Sequence, residues 1–169
     1  NFDEWCHIAG SWDGTNLNVY VNGVLENSQD ESGGEINSSS SNIIIGASGE
    51  GTSGFLHGMV DEVVIWETAL SEEEMQSYMS QELSGQEQGL AGYWNFNEGD
   101  GPELTDMVGN GYQGLINGAS WSGDGAPVEP PSYGCTDSYA GNYDPDAEAD
   151  DGSCSDYPQN GNHSLNFGG

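Results

Sequence analysis

The chain has 169 residues, among them 29 Asp and Glu and not one Lys or Arg, so its formal charge at neutral pH is −29. A soluble protein of this length ordinarily carries about twenty basic side chains. Without them no ion pair to Lys or Arg can form inside the molecule, and the charge has to be neutralised from outside, by solvent cations. Repulsion on this scale destabilises a compact state unless divalent ions or high salt screen it. That points to secretion, and to a salty or calcium-rich extracellular surface. The same sign excludes nucleic acid as a partner and argues against insertion into, or binding to, an anionic membrane. An acidic solubilising surface is the plain alternative. The hydrophobic share of 34% suffices for one domain and a satellite. No stretch is apolar enough to span a bilayer. The chain opens in mid-pattern at Asn1-Phe2-Asp3-Glu4-Trp5 and reads as a piece of something longer.

Along the chain the pattern is that of β structure. Leu17, Val19 and Val21 alternate with Asn18, Tyr20 and Asn22, and the run stops at Asn22-Gly23, which predicts a half-buried strand entering a tight hairpin. Ile43-Ile44-Ile45 reads as a short strand buried on both faces, and Phe55 to Trp66 as a central strand with Gly58 at a bulge. Ser71-Glu72-Glu73-Glu74 is a capping box opening a helix of about three turns, with Met75, Tyr78 and Met79 at helical spacing. Strand character resumes at Leu90 to Phe96 and at Gln113 to Ile116. Between these two lies a polar loop with Asp106, Gly109, Asn110 and Gly111.

Three prolines between Ala126 and Pro131 mark a linker, placed at 124–133. Beyond it, Cys135 and Cys154 enclose a stretch rich in Asp and nearly devoid of apolar side chains. Such a loop cannot bury a core, so a Cys135–Cys154 disulfide and bound ions have to order it. Cys6 is left over, as a buried thiol or as half of a bridge to something outside the chain.

Trp5-Cys6-His7-Ile8-Ala9, Trp12-Asp13-Gly14, Leu17 through Gly23 and Gly58 through Val63 together resemble the second half of laminin-G-like or concanavalin-A-like jelly-roll domains. Gly89 to Gly99, with Asp106, Gly109-Asn110-Gly111 and Trp121, resembles a closing strand unit of the same superfamily. The resemblance implies an all-β sandwich with one short helix over residues 1–123, incomplete at its start. The acidic stretch 134–156, from Cys135-Thr136-Asp137 through Asn142-Tyr143-Asp144-Pro145 to Cys154, is similar to short calcium-binding repeats of the thrombospondin type 3 kind in bacterial surface proteins. The tail 157–169, with Ser164-Leu165-Asn166-Phe167, resembles the opening strand of a further sandwich. A half-sandwich would bare the face carrying Leu17, Val19, Val21 and Ile43 to Ile45. The covering strands are then expected from a preceding stretch of the same polypeptide or from the tail of a neighbouring copy.

Calcium takes six to eight oxygen ligands, and closely spaced Asp and Asn can wrap them around one ion. The expected ligands are Asp137, Asn142, Asp144, Asp146, Asp150 and Asp151, with Asp106 and Asn110 as a weaker second set that a plain turn explains better. A disulfide closing such a loop contributes roughly 3 kcal/mol, too little against the repulsion of these carboxylates without an ion. His7, His57 and His163 lack metal-ligand spacing. Asn37 and Asn162 open glycosylation sequons, meaningful only in a host that glycosylates its surface proteins. Related glucanases place an acid-x-Asp-x-acid alternation on one strand. Here Asp61 and Glu62 are adjacent and Glu67 lies apart, so no enzymatic activity is expected. The expected function is a structural or adhesive repeat of a calcium-stabilised surface protein or filament, whose partners are other copies or neighbouring repeats. The alternative is a calcium-dependent lectin that stacks glycans on some of the aromatic residues Trp12, Tyr20, Trp66, Tyr93, Trp94 and Trp121, most of which read as core.

Overall fold

A computed structural model describes residues 4–36, 39–48 and 51–158. Among the described residues the chain is mostly β, with one short helix and small sheets, antiparallel in the first unit, consistent with a β-sandwich. It forms two compact units that divide between Glu129 and Pro130.

In the first unit, β1 (Ile8–Trp12), β2 (Asn16–Val21) and β3 (Val24–Asp30) make an antiparallel meander in that order. Its two turns are written in their residues. The Asp13 carboxylate accepts from the backbone N–H groups of Thr15 and Asn16 at 2.8 and 2.7 Å, and Gly14 takes a φ of 94°. Those N–H donors, Asn16 first, hold the Asp13 carboxyl below the ordinary carboxylate range. At the second turn Asn22 and Gly23 have φ of 49° and 71°, the double left-handed conformation that a two-residue hairpin selects.

The burial of β2 is the reverse of the expectation. Asn18 and Tyr20 are each only 7% exposed, whereas Leu17 and Val19 are 48% and 41% exposed. Period-2 alternation separates two faces but does not say which one finds cover. The helix α1 (Glu72–Tyr78) docks at the β2–β3 turn, where the Gln76 side-chain amide donates to the Gly23 carbonyl at 3.1 Å. Among the described residues the aliphatic face stays open. Ile43, Ile44 and Ile45 form no strand and are exposed. Of the run from Phe55 only β4 (Val63–Trp66) is a strand, with Phe55, Leu56 and Met59 exposed before it. Apolar, β-branched segments form strands when a neighbour supplies the ladder and a second layer covers them, and among the described residues neither is present.

The helix has its capping box: the Glu74 N–H donates to Ser71 Oγ at 3.2 Å, and Glu74 Oε2 accepts from the Ser71 N–H at 2.8 Å. It ends after about two turns instead of three, because the next backbone groups are taken elsewhere. Glu129 N–H donates to Ser80 O at 3.0 Å, and Glu82 N–H to Glu129 O at 2.8 Å. The start of the expected linker is therefore stitched to the first unit, and Ala126 N–H adds a bond to Asp61 Oδ2 at 2.7 Å. β4 pairs antiparallel with β5 (Leu90–Trp94). Around this pair Leu83, Leu90 and Tyr93 form the core, with Val64, Trp66, Tyr78 and Val108 packed against it and the Trp66 and Tyr78 rings stacked 5.0 Å apart. β6 (Glu103–Leu104) and β7 (Gly114–Leu115) make a small hairpin.

In the second unit β8 (Tyr133–Gly134) and β9 (Ala149–Asp150) run parallel, and Cys135 is bonded to Cys154. Among its described residues the buried apolar groups are small: Cys135, Ala140 and Ala149. Cys6 is an exposed free thiol, not a buried one.

Candidate functional site

A chain without Lys or Arg has only N–H groups and hydroxyls of its own to offer its carboxylates, and the structure shows both. In the Cys135–Cys154 ring, Asp137, Asp144, Asp150 and Asp151 each accept the N–H two residues on, from Tyr139, Asp146, Gly152 and Ser153 at 2.8–3.0 Å. These are Asx turns. Ser153, chiefly through its side chain, holds the Asp151 carboxyl below the ordinary range. Asn142 ties the first half of the ring to its C-terminal end, donating to Ser153 O at 2.8 Å and accepting from Ser155 N–H at 2.7 Å. Ser132 and Glu148, which the sequence did not single out, pin the ring's base through a 3.0 Å bond from Ser132 N–H to Glu148 Oε2. Among the described residues no three His, Cys, Asp or Glu side chains gather into a metal cage. In this conformation the six expected ligands, Asp137, Asn142, Asp144, Asp146, Asp150 and Asp151, are thus spread along turns.

Asp106 is 3% exposed. Its Oδ1 accepts from Val108 N–H at 3.2 Å and Tyr93 N–H at 3.5 Å, and its Oδ2 from Asn110 and Tyr112 N–H at 3.0 and 3.3 Å. Asn110 donates its amide to Ala91 O at 3.1 Å. Four backbone donors occupy the carboxylate, so Asp106 and Asn110 knit the loop between β6 and β7 onto β5.

A third cluster lies where β4 meets β5. Glu62, at a left-handed φ of 53°, accepts the Tyr93 hydroxyl on Oε2 at 2.6 Å. Tyr93 OH in turn accepts Leu83 N–H at 3.2 Å. Glu82 Oε1 accepts the amides of Asn95 and Asn97 at 2.7 and 2.9 Å. Burial, reinforced by the charges of Asp61 and Glu82 and opposed by the Tyr93 hydrogen bond, pushes the Glu62 carboxyl up to about 7. The left-handed residue turns Glu62 toward Tyr93 while Asp61 bonds Ala126, so the two acids do different structural work.

Several further expectations can be placed. Tyr20, Tyr93 and Trp94 are buried and closed to any sugar. Trp66 is stacked on Tyr78, and Trp121 donates its indole N–H to Gly101 O at 2.9 Å. Trp12 is half-buried and lines a groove of about 280 Å³ with Leu17, Glu31, Gly34, Glu35 and Ile36. That groove escaped the sequence reading because the loop after β3 carries no motif. His7 is held below its ordinary range by burial. Asn37, Asn162 and nearly all of the tail, including Leu165 and Phe167, lie outside the described residues.

Residues 1–76 match the model of the concanavalin A-like lectin/glucanases superfamily, of laminin G type. Human adhesion G-protein coupled receptor D1 is 35% identical over 80 residues, which are 45% of this chain and 9% of that receptor. A crystal structure from Bacteroides ovatus, described as a candidate carbohydrate binding protein, superposes with a TM-score of 0.51 at 24% identity over 72% of this chain and 38% of that one. The chain thus spans well under half the length of either protein. The structural likeness supports the sandwich fold.

Proposed function

We propose that this chain is a non-catalytic adhesive module of an extracellular surface protein, whose acidic ring is a thrombospondin-type repeat tightened by calcium. The observation that carries the reading is the open aliphatic face of the meander: Ile8, Leu17, Val19 and Val24 are all 41–72% exposed. A bare sheet face of this kind is an interaction surface, for further strands of the same polypeptide or for a neighbouring molecule. The match to a receptor whose name includes adhesion supports the same reading. Calcium enters on the composition of the ring and on the charge, with Asp137, Asp144, Asp146, Asp150 and Asp151 as the carboxylates an ion would draw together.

Carbohydrate binding is the second reading. The likeness to the Bacteroides ovatus protein and the half-buried Trp12 in its groove support it. A glycan array probed with the labelled chain, with and without excess EDTA, separates the two. The adhesive reading expects no defined set of bound glycans; the lectin reading expects one that chelation removes. Release of reducing ends from β-glucans would overturn the non-catalytic assignment.

A further inference from the structure

Three Asn-Gly pairs lie among the described residues, at 22–23, 110–111 and 117–118. In such a pair the glycine nitrogen can attack the side-chain amide before it, because glycine has no Cβ to hinder the approach. The attack needs two freedoms. The asparagine side chain must swing toward the backbone, and the peptide unit that follows it must turn.

Two of the pairs lack these freedoms. Asn22 Oδ1 accepts the His7 N–H at 3.0 Å, and the Asn22 N–H donates to His7 O at 2.9 Å. Gly23 is held too, by the bond from the Gln76 side-chain amide to its carbonyl, and an added Cβ there would meet Gln76 Cγ at 2.6 Å. Asn110 donates its side-chain amide to Ala91 O at 3.1 Å and its N–H to Asp106 Oδ2 at 3.0 Å. The Tyr112 N–H bonds the same carboxylate, so Gly111 sits between two fixed neighbours. Asn117 differs on every count. It is exposed, and its side chain has no partner among the described residues. Gly118 has a φ of 81°, and an added Cβ would meet nothing within 4 Å. The last backbone bond of the β6–β7 hairpin, from Ile116 N–H to Pro102 O at 2.8 Å, ends one residue earlier.

We propose that Asn117-Gly118 is a self-modification site at which asparagine converts to isoaspartate, while the other two described pairs are protected by their hydrogen bonds. The Gly118 nitrogen loses its proton and bonds to Asn117 Cγ. The bond from Cγ to the side-chain nitrogen breaks, and that nitrogen leaves as ammonia. Water then adds to one carbonyl of the cyclic imide and reopens it, to aspartate or, where the main chain now runs through Cγ, to isoaspartate. Water is the sole co-reactant. Each event adds a negative charge to a formal −29, and isoaspartate lengthens the main chain by a methylene directly after the hairpin.

The whole chain is aged at mildly alkaline pH, once in buffer and once in urea. With no Lys or Arg for trypsin, chymotrypsin is the protease, and it separates the three pairs into peptides ending at Leu25, Tyr112 and Trp121. Mass spectrometry with electron-transfer fragmentation tells isoaspartate from aspartate in each. In buffer Asn117 should convert about tenfold or more faster than Asn22 and Asn110, a barrier difference of about 1.4 kcal/mol, and chiefly to isoaspartate. In urea the three rates should converge. Equal rates in the folded chain would overturn the proposal, as would aspartate formed without isoaspartate, which means direct hydrolysis of the amide. A preference of the same size in urea would also overturn it, by assigning the difference to neighbouring residues instead of the fold.

Discussion

Replacing Glu62 by Gln should change how stability depends on pH. The carboxyl titrates near 7 in the folded chain against an ordinary 4.5, so between those values the folded state holds a proton that the unfolded chain has released. The stability this group contributes is therefore complete below about pH 4.5 and is lost as pH rises through 7. The difference corresponds to about 3 kcal/mol at roughly 1.36 kcal/mol per unit. Glu62 is only half-buried, and screening reduces this to about 1–2 kcal/mol. Gln keeps an oxygen for the Tyr93 hydroxyl and has no charge to bury, so the variant should lack this decline. Urea unfolding of both proteins from pH 4.5 to 8.5 at constant ionic strength, followed by tryptophan fluorescence, measures the difference curve. Asp61 and Glu82, which also raise the group, are common to both proteins. General repulsion among the remaining carboxylates largely cancels in the difference. Between pH 5 and 8 the wild type should lose that screened amount, about 1–2 kcal/mol, relative to Glu62→Gln. Parallel curves for the two proteins across this range would refute the reasoning and show that water reaches Glu62 freely.

Other perturbations follow from the same geometry. Asp106→Asn sets an amide where two backbone N–H donors point, and should cost about 2–4 kcal/mol in denaturant unfolding; a far smaller cost would mean the loop re-forms around it. Gly23→Ala should cost about 2 kcal/mol, since Gly23 has φ 71° and an added Cβ would meet Gln76 Cγ at 2.6 Å. An unchanged melting curve would show that the helix is not seated on the hairpin. Excess EDTA at low ionic strength should lower the melting temperature. An ion at a hundredfold excess over its dissociation constant stabilises by about 2.7 kcal/mol, so no shift on chelation would remove calcium from the proposal.

Local chemistry was the part of this molecule open to a reader of the sequence. Asn22-Gly23, the Ser71–Glu74 capping box and the core-less stretch between Cys135 and Cys154 each carry their conformation within a short span of chain, and the structure has all three. What depends on a distant partner was not legible. Leu17 and Val19 alternate as a core strand would, yet the buried face is the one bearing Asn18 and Tyr20. Glu62 reads as one acid among 29, and only the fold brings Tyr93, 31 positions on, to its Oε2. Asp106 shows the middle case: its Gly-rich loop allows a metal cage in sequence but reads more readily as a turn, and four backbone N–H groups fill the carboxylate. The Trp12 groove depends on a loop that the sequence marks only as polar.

The connectivity of the first unit also sets an order of events in folding. β1, β2 and β3 are joined by short turns, so the meander closes at little entropic cost. The β4–β5 ladder closes over the whole connection from Trp66 to Leu90, which includes α1, and closure cost rises with the logarithm of loop length. The meander should thus be formed in the transition state and the Glu62–Tyr93 seam consolidated after it. Changes at Asn22 and Gly23 would then slow folding, while changes at Tyr93 would chiefly hasten unfolding. Chevron plots of the two sets of variants would reveal this division as movement of opposite arms.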